Sequence, residues 1–167
     1  MPCYMYSYHG RATWMPDHRR GFVQRGKGIQ PTNNDLAHSY RRHRDEPAVI
    51  FTAPIQRLLV DAARAAGDHL EATVHAVATE PTHVHVLVSW DHERDWKSMR
   101  ASIRSAMSRR LNEQVERRNW FADTPSRKRV RDREHFDYLM LTYLPKHHGA
   151  KWFSDADVQA AKRRKNK

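Results

Sequence analysis

Histidine occurs twice in the stretch Thr82-His83-Val84-His85-Val86-Leu87-Val88, with a single valine between the two. A run this rich in β-branched residues reads as a buried strand. On a strand, residues i and i+2 point to the same face, so His83 and His85 project together while Val84 and Val86 pack behind them. Two imidazoles side by side on a rigid strand form a bidentate platform for a divalent metal. Farther along, Tyr143 is followed four residues later by His147. Residues i and i+4 share a helix face, so phenol and imidazole could both address one metal. The chemistry this suits is metal-assisted attack of a tyrosine on a phosphodiester.

Such a cleavage needs a nucleophile, neutralisation of charge on the phosphoryl oxygens and a stabilised leaving oxygen. A phenol can serve because the phosphotyrosine it forms stores the bond for rejoining. With an ordinary pKa of about 10 it needs local help at neutral pH. Mg²⁺ or Mn²⁺ held by His83, His85 and His147 would supply that help, and of the two Mn²⁺ accepts imidazole ligands more readily. Tyr138 is the competing nucleophile, but its i+4 residue is Thr142, a poor ligand. In a regular helix, five positions turn the two tyrosines about 140° apart, which favours Tyr143. Pro145 disfavours helix at Leu144 and removes a backbone donor, which leaves His148 as an alternative third ligand.

The elements that must position these groups can be read along the chain. Tyr4, Tyr6 and Tyr8 alternate in a first strand, Cys3 to Tyr8. Met15 to Asn34 reads as a long irregular loop rich in Gly and Arg, and Arg41 to Arg44 as a short helix or solvated turn. Pro54 opens a helix carrying Leu58, Leu59, Ala62, Ala63 and Ala66, which Gly67 is expected to stop. Ala72–Thr79 and His83–Trp90 flank Glu80-Pro81-Thr82 and predict an antiparallel hairpin. His75, in its first strand, is expected to be structural or to support a ligand. A long helix from Asp95 to Arg118 buries the stripe Met99, Ile103, Met107, Leu111, Val115. Ser126 to Arg131 is a basic strand or loop, and Asp132 caps the helix that carries the tyrosines. Trp90, Trp96, Trp120 and Trp152 are expected to pack rather than to stack on bases. Residues 1–158 form one catalytic domain in this reading, and residues 159–167 a basic, disordered tail without core residues.

Bulk composition narrows the partner. The 167 residues carry 30 Lys+Arg against 19 Asp+Glu, a net charge of +11 at neutral pH. That surplus favours a polyanion, nucleic acid first. The one cysteine, Cys3, rules out an internal disulfide and a Cys-rich zinc site. With no apolar run long enough to span a membrane and no apolar signal region, a cytoplasmic, nucleoid-associated location is expected.

Pro81-Thr82-His83-Val84-His85-Val86-Leu87-Val88 resembles the His-hydrophobic-His (HUH) motif of single-tyrosine transposases, most nearly the REP-associated tyrosine transposases and the insertion-sequence enzymes related to them. Tyr143-Leu144-Pro145-Lys146-His147-His148-Gly149 is similar to their late tyrosine segment, with His147 at the place of the polar ligand. The segment Asp17-His18-Arg19-Arg20-Gly21-Phe22-Val23 also resembles an early loop of some members. Thr82 stands where many relatives have Asn, and His147 where they have Gln or Asn. The resemblance implies a ferredoxin-like α+β fold with a central antiparallel sheet and helices packed on it. It implies a homodimer that cuts single-stranded DNA beside a hairpin through a 5′-phosphotyrosine intermediate. Arg19, Arg20, Arg127, Lys128, Arg129 and Arg131 are the candidate DNA contacts. Two other classes stay open: a domesticated hairpin binder that no longer cuts, and an HUH replication-initiation nuclease.

Overall fold

A computed structural model of the chain describes residues 1–17, 21–24, 27–43, 47–123 and 125–165. Its elements run β1 (Cys3–His9), β2 (Phe22–Gln24), β3 (Gly28–Gln30), α1 (Asn34–His43), α2 (Ala53–His69), β4 (Thr73–Glu80) and β5 (His83–Ser89). Then follow α3 (Trp96–Gln114), β6 (Ser126–Arg129), α4 (Arg133–Tyr138), a π-helical turn (Leu139–Tyr143), a 3-10 turn (Leu144–Lys146), β7 (Lys151–Phe153) and α5 (Asp155–Lys165). Five strands form one antiparallel sheet in the order β6-β1-β5-β4-β7. Without β7, the strand order and the helices α2 and α3 between strands give the split β-α-β arrangement of a ferredoxin-like α+β fold, as expected.

Alternation along the strands creates two unlike faces. Tyr4, Tyr6 and Tyr8 of β1 join Val84, Val86 and Val88 of β5 in a core covered by α2 and α3. The stripe Met99, Ile103, Met107 and Leu111 of α3 is fully buried there, whereas Val115 lies past the helix end and is exposed. Tyr6 and Tyr8 donate their hydroxyl hydrogens to the Trp96 and Arg100 carbonyls at 3.0 and 2.9 Å, which ties the start of α3 to the sheet. Asp95 caps that helix through the amides of Lys97 and Ser98. The opposite face is smaller: Met5, Ala76, Ala78 and Leu87 pack against Phe136, Leu139, Met140 and Leu144. Two alanines on β4 let the helical segment after Asp132 lie close to the strands.

The structure departs from the expected elements in several places. The loop from Met15 to Asn34 contains the hairpin β2–β3. Helix α2 does not stop at Gly67 but runs to His69. A Cβ at Gly67 would stand 2.7 Å from Val74 Cγ2 and 2.9 Å from the Ala72 carbonyl, so this glycine serves close approach of helix and strand. The tail expected to be disordered is helix α5 as far as Lys165. It is held because Ala161 is buried, Arg164 pairs bidentately with Asp137 at 2.6 and 2.8 Å, and Asp157 meets His75 at 2.7 Å. His75 sits at a bulge in β4 and also bonds Ser89 Oγ at 2.7 Å, a structural role away from the paired histidines. No helix among the described residues is long and apolar enough to cross a membrane.

The segment after the 3-10 turn is pinned to the end of β4. Thr79 exchanges backbone hydrogen bonds with Gly149 and Ala150, and the Gln56 side chain accepts from the Ala150 amide at 3.0 Å. A Cβ at Gly149 would meet Gln56 Oε1 at 2.3 Å and the Thr79 carbonyl at 2.4 Å. Gly149→Ala is therefore expected to lower unfolding stability by about 1–3 kcal/mol in urea denaturation, the usual cost of overpacking. An unchanged midpoint would show that this segment is not held as tightly as its contacts imply.

Candidate metal centre and active site

His83 and His85 stand on β5 between β1 and β4, with His9 and Ser7 as their partners on one side and Glu80 and Ala78 on the other. Pairing on both sides fixes the strand register, and with it the direction of both rings. His147 comes from the opposite direction, out of the pinned segment after the 3-10 turn. Each of the three offers a ligand atom, and these atoms all lie within 4.8 Å of one another. His147 is buried, while His148 is exposed and engages Glu80 through its backbone amide at 2.7 Å. The geometry gathers His147, not its neighbour, with the strand pair.

The donor set fits a metal. His85 Nδ1 lies 2.6 Å from Ser7 Oγ, and its Nε2 is buried with no hydrogen-bond partner among the described residues. A buried polar nitrogen left so is costly unless something else occupies it. His147 Nδ1 donates to the Leu144 carbonyl at 3.1 Å, which directs its Nε2 lone pair outward. His83 Nδ1 is 3.1 Å from Thr82 Oγ1. All three rings are thus anchored at Nδ1, the arrangement by which metal-binding histidines are oriented. Burial, then the neighbouring His9 and His147, lowers His83 to about 4. Burial, then His83 and His147, lowers His85 to about 2. Both are neutral near pH 7, the form that coordinates a cation.

Tyr143 reaches the same place by an unexpected route. Its ring centroid lies 5.7 Å from His85 and 5.4 Å from His147. The chain does not continue as a regular α-helix from Tyr143 to His147. Residues 139–143 form a wide π turn, Leu144 then starts a tight 3-10 turn whose second residue, Pro145, sits where its missing donor is tolerated, and His147 is extended. The wide turn also overturns the expected 140° separation of the two tyrosines, since Tyr138 and Tyr143 have ring centroids 6.4 Å apart.

These groups line an open cleft of about 1040 Å³ that also holds Ser7, His9, Trp14, Lys128 and Lys146. Of the expected DNA contacts, Lys128 shares the histidine face of the sheet, being paired with Met5. Arg127 and Arg129 pair with Tyr6 and Tyr4 and so point to the opposite face, where the Arg127 guanidinium lies 3.5 Å over Trp96, while Arg127 also borders the histidine cleft. Arg131 lines a second cavity next to Lys128. Arg19 and Arg20 lie outside the described residues. Sequence reasoning missed Ser7, His9 and Trp14. Ser7 and His9 alternate with the tyrosines of β1, and only the cross-strand register reveals that they face the motif histidines.

The chain matches no protein-family model and no curated protein. Solved structures similar to it include a REP-associated tyrosine transposase bound to a REP hairpin, with 12% identity and a TM-score of 0.45 over 84% of this chain. The present chain spans 65% of that protein's length. Another is a protein of Deinococcus radiodurans R1 provisionally described as a transposase, with 13% identity and a TM-score of 0.49 over 89% of this chain and 92% of that one.

Two measurements check the centre. Ser7→Ala is expected to weaken Mn²⁺ binding about 10- to 100-fold in calorimetry, the usual effect of losing a partner that orients a ligand, with an unchanged far-ultraviolet spectrum. The second concerns pH. Because His83 and His85 are lowered in the folded chain, the unfolded chain takes up protons first as pH falls below about 6.5. Their contribution therefore makes stability fall with falling pH, until the folded values are reached. In EDTA, Tm should decline from pH 6.5 towards 4.5, and less steeply in His83→Gln; identical slopes would count against buried neutral imidazoles.

Proposed function

We propose that the protein is a metal-dependent single-stranded DNA endonuclease and strand transferase of the HUH transposase type, with Tyr143 as nucleophile. The observation that carries this reading is the placement of Tyr143 against a three-histidine cluster on the floor of an open cleft. A net charge of +11 favours a polyanionic substrate, and Lys128 and Lys146 stand at the cleft itself. His83, His85 and His147 would hold Mg²⁺ or Mn²⁺, which when bound neutralises phosphoryl charge and stabilises the leaving oxygen.

In the proposed step the Tyr143 phenolic oxygen attacks the scissile phosphorus. A Tyr–O–P bond forms, the P–O3′ bond breaks, the phenol loses its proton to solvent and the 3′ oxygen gains one. The products are a 5′-phosphotyrosine and a free 3′ hydroxyl, and attack by a 3′ hydroxyl on the phosphotyrosine reverses the step. No external energy source is required, because one phosphoester replaces another. The hairpin beside the cleavage site and the homodimer are implied by the resemblance of the histidine strand and the tyrosine segment to REP-associated transposases. Arg19, Arg20, Arg127, Lys128, Arg129 and Arg131 are the proposed DNA contacts, Lys128 the one best placed for the scissile strand.

The test is covalent capture on labelled single-stranded DNA from the regions flanking the gene, with Mn²⁺ or Mg²⁺, resolved on denaturing gels. A metal-dependent adduct is expected from the wild type and from Tyr138→Phe. It should fall at least 100-fold in Tyr143→Phe and in His83→Ala. Hairpin-dependent binding without any adduct would favour a descendant that binds but no longer cuts. Cleavage that survives Tyr143→Phe would assign the nucleophile to water.

A further inference from the structure

A continuous row of aromatic rings crosses the cleft. Trp14 stands 5.1 Å from His9 and His9 5.5 Å from His83, centroid to centroid. The row continues from His83 to His85 at 4.8 Å, from His85 to Tyr143 at 5.7 Å and from Tyr143 to Tyr138 at 6.4 Å. Its middle is the candidate catalytic centre. Its two ends are the open ones: Trp14 is 41% and Tyr138 48% exposed.

Trp90 and Trp120 are buried, while Trp96 and Trp152 are half-buried with Arg127 and Arg64 stacked on them. Trp14 differs from all four in presenting its indole at the mouth of the histidine cleft. Tyr138 lines a second cavity of about 390 Å³ together with Arg131 and His135, and Lys128 borders both this cavity and the main cleft. The π turn is what brings Tyr143 round to the side of Tyr138. In a regular helix the two would point away from each other.

We propose that this row is the bed of one unpaired nucleic-acid strand. The phosphate to be cut lies over the histidines, and unpaired bases on its two sides stack on Trp14 and on Tyr138. Lys128 and Arg131 face the phosphates on the Tyr138 side. This inference rests on the nucleic-acid reading above and adds to it the path of the strand and the two residues that grip its bases. Aromatic platforms of this kind accept any base, because every base has a π face, but only an unpaired one can lie flat on them. The site thereby selects single strand over duplex without reading sequence.

The experiment measures fluorescence anisotropy of two labelled probes in EDTA, which prevents cutting: a twelve-residue thymidine strand and an abasic strand of equal length and charge. Wild-type protein should prefer the thymidine strand by about 5- to 150-fold per stacked base, from about 1–3 kcal/mol of stacking at 1.4 kcal/mol per tenfold. Trp14→Ala and Tyr138→Ala should each lose affinity for the thymidine strand only, and Trp14→Phe and Tyr138→Phe should recover most of it. Equal wild-type affinity for both probes overturns the proposal, as do losses of equal size on both. If the covalent adduct still forms in that case, the strand-transfer reading stands and only the stacking bed falls. If neither probe binds at low salt and no adduct forms, both readings fall together.

Discussion

Everything in this molecule depends on the alternation of β5. Its even-numbered residues Val84, Val86 and Val88 are driven into the core under α2 and α3, so its odd-numbered residues are turned to the other side. With β1 and β4 both paired to it, the strand cannot slip by one residue without placing histidines in the core and valines in the cleft. The hydrophobic effect thus aims the imidazoles, although it touches neither of them. The cost of drawing His83 and His85 out of water is met by the folding of the whole sheet, so the ring positions are set by the fold itself.

The other half of the site is built from three kinds of helical turn in succession. A capped α-helix, a wide π turn and a tight 3-10 turn follow one another within residues 133–146. Each change of pitch rotates the side chains that come after it. The wide turn sets Tyr138 and Tyr143 on one side, and the tight turn around Pro145 releases His147 in extended form towards β5. Small Ala76 and Ala78 beneath this segment, and α5 beside it through Arg164 and Asp137, hold a helical path that propensity alone would not choose. π turns are rare and are found mostly at functional sites. Here the turn has a definite effect, which is to bring two phenols and an imidazole to one face.

The features legible in the sequence were those encoded locally. The alternation of β1 and β5, the Pro81-Thr82 turn, the four-residue stripe of α3 and the cap Asp132 all follow from neighbours a few positions away. His147 was placed with the strand pair by helical spacing, and it is there, although the helix between is not regular. What escaped depends on distant contacts. Ser7 is visible as a partner of His85 only once β1 is aligned with β5. Gly67 looks like a stop signal until Val74 is seen packed against it. The terminal helix has a polar, basic sequence, and its order comes from Ala161, Arg164 and Asp157 meeting groups far back in the chain. The hairpin β2–β3 is only three residues deep on each side, too short for alternation to register.

Strand β6 lies at the rim of the sheet with all four of its residues exposed, three of them cationic. A bare strand edge invites another chain to pair with it, and a run of positive side chains repels such a chain. On this molecule the charges proposed to serve a polyanionic substrate also keep the sheet from extending into a neighbouring copy. Neutralising Arg127, Lys128 and Arg129 together would leave an edge open to self-association, and in the proposed reading it would also remove cations that serve the substrate.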